Sequence, residues 1–242
     1  MFRYADLTVN DRNPIKRNLQ RIRLRHALKP IADLPEDYSG SILDFGAGDA
    51  YLCHQIATLY PQASITAFEP SNELRVQATE NTQNHPNIAL IGNLDDRRTD
   101  KFDYIFCLEV FEHLPQKQME IALNQLRLLS SASTKILFGV PNEIYLAAFL
   151  KGLFRMTRRF GDVDATPINI LKASVGSPPK SRPESIFSEN LPYIYRHMGF
   201  DYRSFLNQIK DDFKILNIYG SPFPFLTLFF NFEIFILTQK FI

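Results

Sequence analysis

Four groups of residues in this chain have the types and spacing for chemistry. The first is Leu43-Asp44-Phe45-Gly46-Ala47-Gly48-Asp49-Ala50. It lies between an apolar run, Ser41 to Phe45, and a helical pattern, Tyr51 to Tyr60, so it reads as a strand-to-helix turn. Glycines there let a ligand approach the main chain, and the following helix presents free N–H groups. The second is Glu69, 21 residues after Gly48 and directly after the run Ser64 to Phe68. A carboxylate in that place can accept both hydrogen bonds of a ribose 2′,3′-diol. The third is Glu109, Glu112 and His113, two carboxylates and an imidazole of the kinds that ligate divalent ions. The fourth is His197, ahead of a helical stretch, whose neutral ring could act as general base toward a hydroxyl.

The elements that must position these groups alternate. Strands are expected at Ser41 to Phe45, Ser64 to Phe68, Asn87 to Ile91, Phe102 to Leu108 and Thr134 to Val140. Helices fall at Tyr51 to Tyr60, after Ser71 (a cap, with Glu73 in the first turn), and at Gln116 to Leu129. Such alternation makes βαβ units and a mostly parallel sheet, which binds ligands at the carboxyl ends of its strands. Phe213 to Tyr219 and Phe232 to Gln239 close the chain as two strands, antiparallel because their connection is short. The expected fold is therefore α/β, Rossmann-like and doubly wound, with seven strands, a C-terminal antiparallel pair and an insertion. A dinucleotide is disfavoured as ligand. Its fingerprint needs a third glycine where this chain has Tyr51, and its domain lacks the antiparallel pair.

Together, Asp44-x-Gly46-x-Gly48, Glu69 and Leu108-Glu109-Val110-Phe111-Glu112-His113-Leu114 resemble the motifs of class I S-adenosylmethionine-dependent methyltransferases. The match is closest to the branch with a Glu-Val-x-Glu-His-Leu segment after the fourth strand, to which ubiquinone-biosynthesis O-methyltransferases belong. It covers residues 38–142 by motif and 196–240 by topology. The resemblance implies that Asp44, Gly46 and Gly48 shape a loop around the methionine part of S-adenosylmethionine and that Glu69 holds the ribose. It also implies that Asn93 and Leu94 flank the adenine, although the family more often has Asp at position 93. Leu108 and Glu109 would lie beneath the sulfonium and the amine. This cofactor has no phosphate, and the loop carries no lysine.

His197 falls where the family often places a histidine near the substrate, so His197 and His113 are the candidate catalytic residues. Small-RNA 3′-terminal 2′-O-methyltransferases bind a divalent ion with a cluster like Glu109, Glu112 and His113. The expectation here is no metal, because one short segment supplies three ligands at most and His197 must fold back to add a fourth. The expected function is methyl transfer to an O or N nucleophile of a small or amphipathic organic substrate. Metal-dependent RNA 2′-O-methylation and a non-catalytic cofactor-binding partner or sensor are the alternatives.

The 242 residues divide into an N-terminal basic helix (1–36), a cofactor-binding core (37–142), a lid or substrate insertion (143–196) and the rest of the core (197–242). Hydrophobic residues at 45% and charged residues at 22% suit a globular protein, and a net charge of +1 argues against DNA as partner. Cys53 and Cys107 lack metal-ligand spacing and are expected to be buried and reduced. No signal peptide is read at the N-terminus, so the cytoplasm is the expected location. Arg17, Arg21, Arg25 and Lys29 form one basic stripe, and Lys151, Arg155, Arg158 and Arg159 form another. Both read as solvated faces or as peripheral contacts for anionic head groups. Residues 161–192, with five prolines, read as irregular, and the Phe-rich stretch from Phe223 to Phe235 as core strand.

Overall fold

The computed structural model describes residues 13–97, 99–188 and 191–241. Residues 1–12 of the N-terminal segment, and with them most of the stretch read as carrying no signal peptide, lie outside that description.

Helix α1 (Pro14–Ala27) starts with Pro in its first turn, and Asn13 Oδ1 accepts from Ile15 N and Lys16 N. It ends earlier than its sequence pattern suggests, giving way to a 3₁₀ turn at Lys29–Ile31 around Pro30. Then follow β1 (Ser41–Phe45), α2 (Tyr51–Leu59), β2 (Ser64–Phe68), α3 (Asn72–Thr82), β3 (Ile88–Ile91), β4 (Phe102–Leu108), α4 (Gln116–Leu129) and β5 (Ser130–Pro141). Ser71 caps α3 by accepting from Leu74 N, as its position suggests. Next come α5 (Tyr145–Arg159), α6 (Pro167–Ser174), the short strands β6 (Ser185–Phe187) and β7 (Leu191–Tyr193), α7 (Tyr202–Ile209), β8 (Phe213–Ser221) and β9 (Glu233–Lys240).

The main sheet has the order β3-β2-β1-β4-β5-β9-β8. The first five are mutually parallel, and β9 runs antiparallel to both β5 and β8. This is the Rossmann-like, seven-stranded, doubly wound sheet that the strand–helix alternation predicts. The chain winds outward from β1 in one direction and restarts at β4 in the other, so the switch point lies between β1 and β4. Both strands are almost wholly apolar because helices cover both faces, and Ile42, Leu43, Ile105, Phe106 and Cys107 are buried. The two cysteines are buried free thiols.

Two segments differ from expectation. Residues 161–192 are not irregular throughout: Thr166-Pro167 opens α6, whose Ile170 and Ala173 are buried against α5. Proline at the first helical position is the signal that marks this start. Residues 222–232 are not core strand. They form a loop with a 3₁₀ turn at Leu228–Phe230, and Phe223, Phe225, Phe229 and Phe230 are exposed. Only from Glu233 does the tail enter the sheet. Among the described residues, no helix is long and apolar enough to cross a membrane.

Candidate functional site

A cavity of about 780 Å³ opens at the carboxyl ends of β1, β2 and β4, a size typical of small-molecule sites. Asp44, Gly46 and Gly48 from the β1 turn, Glu69 from the end of β2, and Leu108 and Glu109 from the end of β4 all line it. His113 and His197 line it too. Asn93 and Leu94 do not. Asn93 is exposed and accepts from Asp95 N, and Leu94 is packed into the core.

Gly46 (φ 81°) and Gly48 (φ 57°) occupy the left-handed region. A Cβ on Gly46 would stand 2.5 Å from Val110 Cγ2, whereas at Gly48 it would meet open space. Gly46 is thus demanded by conformation and packing together, and Gly48 leaves main chain open to a ligand. Glu69 fastens this turn: Gly48 N donates to Oε2 (2.9 Å) and Ser71 N to Oε1 (2.8 Å). Burial raises the Glu69 pKa while these two N–H groups oppose the shift. Each carboxylate oxygen keeps a lone pair for a further donor. Asp44 is buried and accepts from Cys53 Sγ (3.4 Å), and burial lifts its pKa to about 7.

Glu109, at φ 55°, turns the chain away from β4. Its carboxylate meets Arg23 Nη2 at 3.3 Å, and Arg23 also grips Glu233 at the start of β9. Burial would raise the Glu109 pKa, but the surrounding positive groups, Arg23 first among them, together outweigh it and hold the group below its usual range. Glu112 behaves oppositely. It is fully buried, neither of its carboxylate oxygens has a hydrogen-bond partner among the described residues, and burial followed by repulsion from Glu109 drives its pKa well up.

The histidines meet across 84 residues of sequence. His113 Nδ1 lies 2.8 Å from the Ile194 carbonyl, which can only accept, so Nδ1 carries the proton and Nε2 is an acceptor. His197 Nε2 stands 3.3 Å from that Nε2. Tyr193 of β7 stacks on the His113 ring at 4.5 Å between centroids and 9° between planes. Burial lowers the His113 pKa and pushes that of His197 down to about 4, so both rings are neutral near pH 7. The ligand atoms of Glu112, His113 and His197 lie within 4.8 Å of one another.

A second cavity of about 400 Å³ adjoins the first, sharing Gln20, Arg23, Glu109 and His197 with it. Its other walls include Lys151, Pro222, Phe232 and Glu233.

The basic face foreseen on residues 151–159 is not solvated. Lys151 Nζ donates to Glu143 Oε1 (3.0 Å), and Arg155 donates to both Glu143 oxygens (2.8 and 2.9 Å). Arg159 pairs with buried Asp164 at 2.7 Å. Arg158 is exposed, beside the Phe154 ring. Sequence reasoning also passed over Arg23, Glu143, Tyr193 and Glu233. Glu143, next to the expected strand end at Pro141-Asn142 and eight residues before Lys151, offered a weak signal; the others offered none.

Fold and site together define a class: a Rossmann-like α/β domain whose switch-point cavity is walled by an acidic, glycine-bearing strand–helix turn. Comparison with known proteins gives this a name at the level of a domain. Residues 43–132 match the family model described as a methyltransferase domain. Malonyl-[acyl-carrier protein] O-methyltransferase of Halalkalibacterium halodurans is 29% identical over 118 residues, 46% of this chain and 43% of that protein. The match therefore spans less than half of the relative's length. Among solved structures, a protein of Pyrococcus horikoshii OT3 superposes with a TM-score of 0.58 at 13% identity, covering 98% of this chain and 96% of the other. N-methyltransferase NodS of Bradyrhizobium japonicum WM9, solved with S-adenosyl-L-homocysteine, gives 0.55 at 13% identity, covering 95% and 89%. At these identities the likeness is one of fold.

Proposed function

We propose that this chain transfers the methyl group of S-adenosylmethionine to an oxygen or nitrogen of a small or amphipathic organic acceptor, as the Glu-Val-x-Glu-His-Leu branch does. The observation that carries this reading is convergence: Asp44, Gly46, Gly48, Glu69, Leu108 and Glu109 wall one cavity together with His113 and His197. The cradle suits the cofactor. Gly48 leaves room at the main chain, Glu69 offers acceptors to a diol, and Asp44 and Glu109 offer carboxylates to an ammonium group.

When bound, the cofactor supplies a sulfonium-activated methyl group. The protein contributes alignment and dryness. Phe187 and Tyr193 of the β6–β7 hairpin wall the cavity and shed water from it. The second cavity would receive the acceptor, because His197 and Glu109 stand where the two spaces meet. His197 is neutral, and His113 Nε2 beside it is an acceptor, so the pair can take up the proton that leaves the nucleophile. Isothermal titration with S-adenosylhomocysteine and with NAD tests the reading. Binding of the first and not of the second is expected; the reverse would overturn it.

A second reading has its own observation. The buried, unpartnered carboxylate of Glu112 stands with His113 and His197 in an arrangement able to hold a divalent ion. His197 folds back to join Glu112 and His113 as the third residue of this group, which does not include Glu109. This arrangement favours metal-dependent 2′-hydroxyl methylation of RNA. Against RNA stands the loss of cations: Lys151, Arg155 and Arg159, the material for a basic groove, are spent on Glu143 and Asp164. Methyl transfer with EDTA and with added Mn²⁺, in wild type and in His197→Ala, decides between them. On the first reading the chelator leaves the rate intact and His197→Ala lowers it by about 10²–10⁴-fold. Loss with EDTA and rescue by Mn²⁺ would establish the second.

A further inference from the structure

Helix α5 is built inside out. Its inward side carries Lys151 and Arg155, held by Glu143, while Phe149, Leu150, Leu153 and Phe154 face solvent, Phe154 at 62% exposure. A helix on the surface of a self-sufficient domain does the reverse. Its neighbours extend the apolar face. Gly152 allows α6 to pack closely, since a Cβ there would lie 2.6 Å from Ile170, and α6 turns Ile168, Leu171 and Val175 outward. On the other flank the Tyr145 ring lies 5.6 Å from Phe229, which belongs to the loop bearing Phe225, 80% exposed, and Phe230. Scattered exposed apolar residues need no explanation, but a continuous face across three elements marks a contact surface.

Charge identifies what the surface meets. In residues 145–175 and 222–232 the carboxylates are Asp162 and Asp164, and both are ion-paired. The loop has no charged residue. Arg158 and Lys172 remain as exposed cations with no acidic partner among the described residues, Arg158 beside the Phe154 ring at 5.3 Å. Phenylalanine and leucine flanked by unpaired cations is the composition of a surface that lies in the interface of an anionic bilayer. A protein partner of this area would need a polar rim of hydrogen-bonding groups.

We infer that α5, α6 and the 222–232 loop form a membrane-docking face that seats the protein on an anionic lipid surface. The loop's ends, Pro222 and Phe232, wall the second cavity, so docking would present that cavity to molecules held in the bilayer. This last clause rests on the catalytic reading above; the docking itself does not.

Flotation of the full chain with vesicles tests it, using phosphatidylcholine alone and phosphatidylcholine with about one-third phosphatidylglycerol, with no cofactor present. The chain should float with the anionic vesicles and hardly with the neutral ones. Phe154→Ser combined with Phe225→Ser should cut the bound fraction about tenfold or more, because binding scales with buried apolar area. Arg158→Glu with Lys172→Glu should lower it in a salt-dependent manner. The melting temperature and S-adenosylhomocysteine affinity of each variant show that fold and first cavity are intact, so failure of docking is separable from failure of the methyltransferase reading. Absence of flotation, or flotation unchanged by the serine variant, would overturn the inference. So would a dimer in sedimentation velocity that the serine variant dissociates while vesicles bind neither form.

Discussion

Glu69 illustrates how one side chain serves both fold and ligand. Its two oxygens already hold Gly48 N and Ser71 N, tying the β1 turn to the end of β2. Glu69→Ala removes those ties and the acceptors proposed for the ribose. Each lost bond to a charged group is worth about 1.5–3 kcal/mol, so S-adenosylhomocysteine affinity should fall at least about tenfold by isothermal titration. Glu69→Gln, which keeps one acceptor, should lose less. Unchanged affinity in Glu69→Ala would show that the carboxylate only braces the loop. The two glycines differ in the same informative way. Gly46→Ala meets Val110 and a positive φ, at a cost of roughly 1–3 kcal/mol, visible as a lowered melting temperature.

At the scale of elements, α5 is held by one buried carboxylate. Glu143 has no exposed surface, and Lys151 and Arg155 reach it from successive turns. Burial works against its ionisation, but the two cations prevail and hold its pKa at about 2, below the ordinary 4.5. A depressed carboxylate stabilises the fold fully above its unfolded value and loses that contribution as pH falls through the folded one. The Glu143 contribution should therefore persist above about pH 4.5 and fade between there and about pH 2, as read by urea unfolding against pH. Glu143→Ala strands two partly buried cations and should cost about 3–5 kcal/mol at neutral pH, flattening that part of the acid limb. An unaltered acid limb would mean that the ion pairs are not what holds α5.

Over the whole molecule, stability should be uneven. The sheet and its helices carry the core, whereas residues 177–184 between α6 and β6 have no regular structure and several exposed side chains. Trypsin should cut first after exposed Lys180, before Lys172 within α6, because local opening costs least where few contacts are lost. Arg182 slows cleavage nearby, since its guanidinium donates to the Glu112 and Arg196 carbonyls and so joins this segment to the site. First cleavage inside α6 would show that the α5–α6 pair is the weaker unit.

How much of this was legible in the sequence follows from distance along the chain. Asp44, Gly46, Gly48, Glu69, Leu108 and Glu109 sit in turns that directly follow apolar runs. A parallel sheet lines up the carboxyl ends of such runs, so local pattern sufficed to bring them to one place. Strand number and the antiparallel pair were legible for the same reason. What depends on distant partners was not. Arg23 meets Glu109 and Glu233, His197 meets His113, and Tyr193 covers His113, each across a separation that no periodicity encodes. Helix α5 makes the point most sharply. Its sequence specifies one apolar face and one cationic face, but a periodic pattern does not say which turns inward. A buried carboxylate stays ionised only beside cations, and Glu143, unlike Glu112, is held ionised, so it drew Lys151 and Arg155 in and turned Phe149, Leu153 and Phe154 out. The sequence by itself determined that α5 has two faces; only tertiary packing around Glu143 decided which one meets the surroundings.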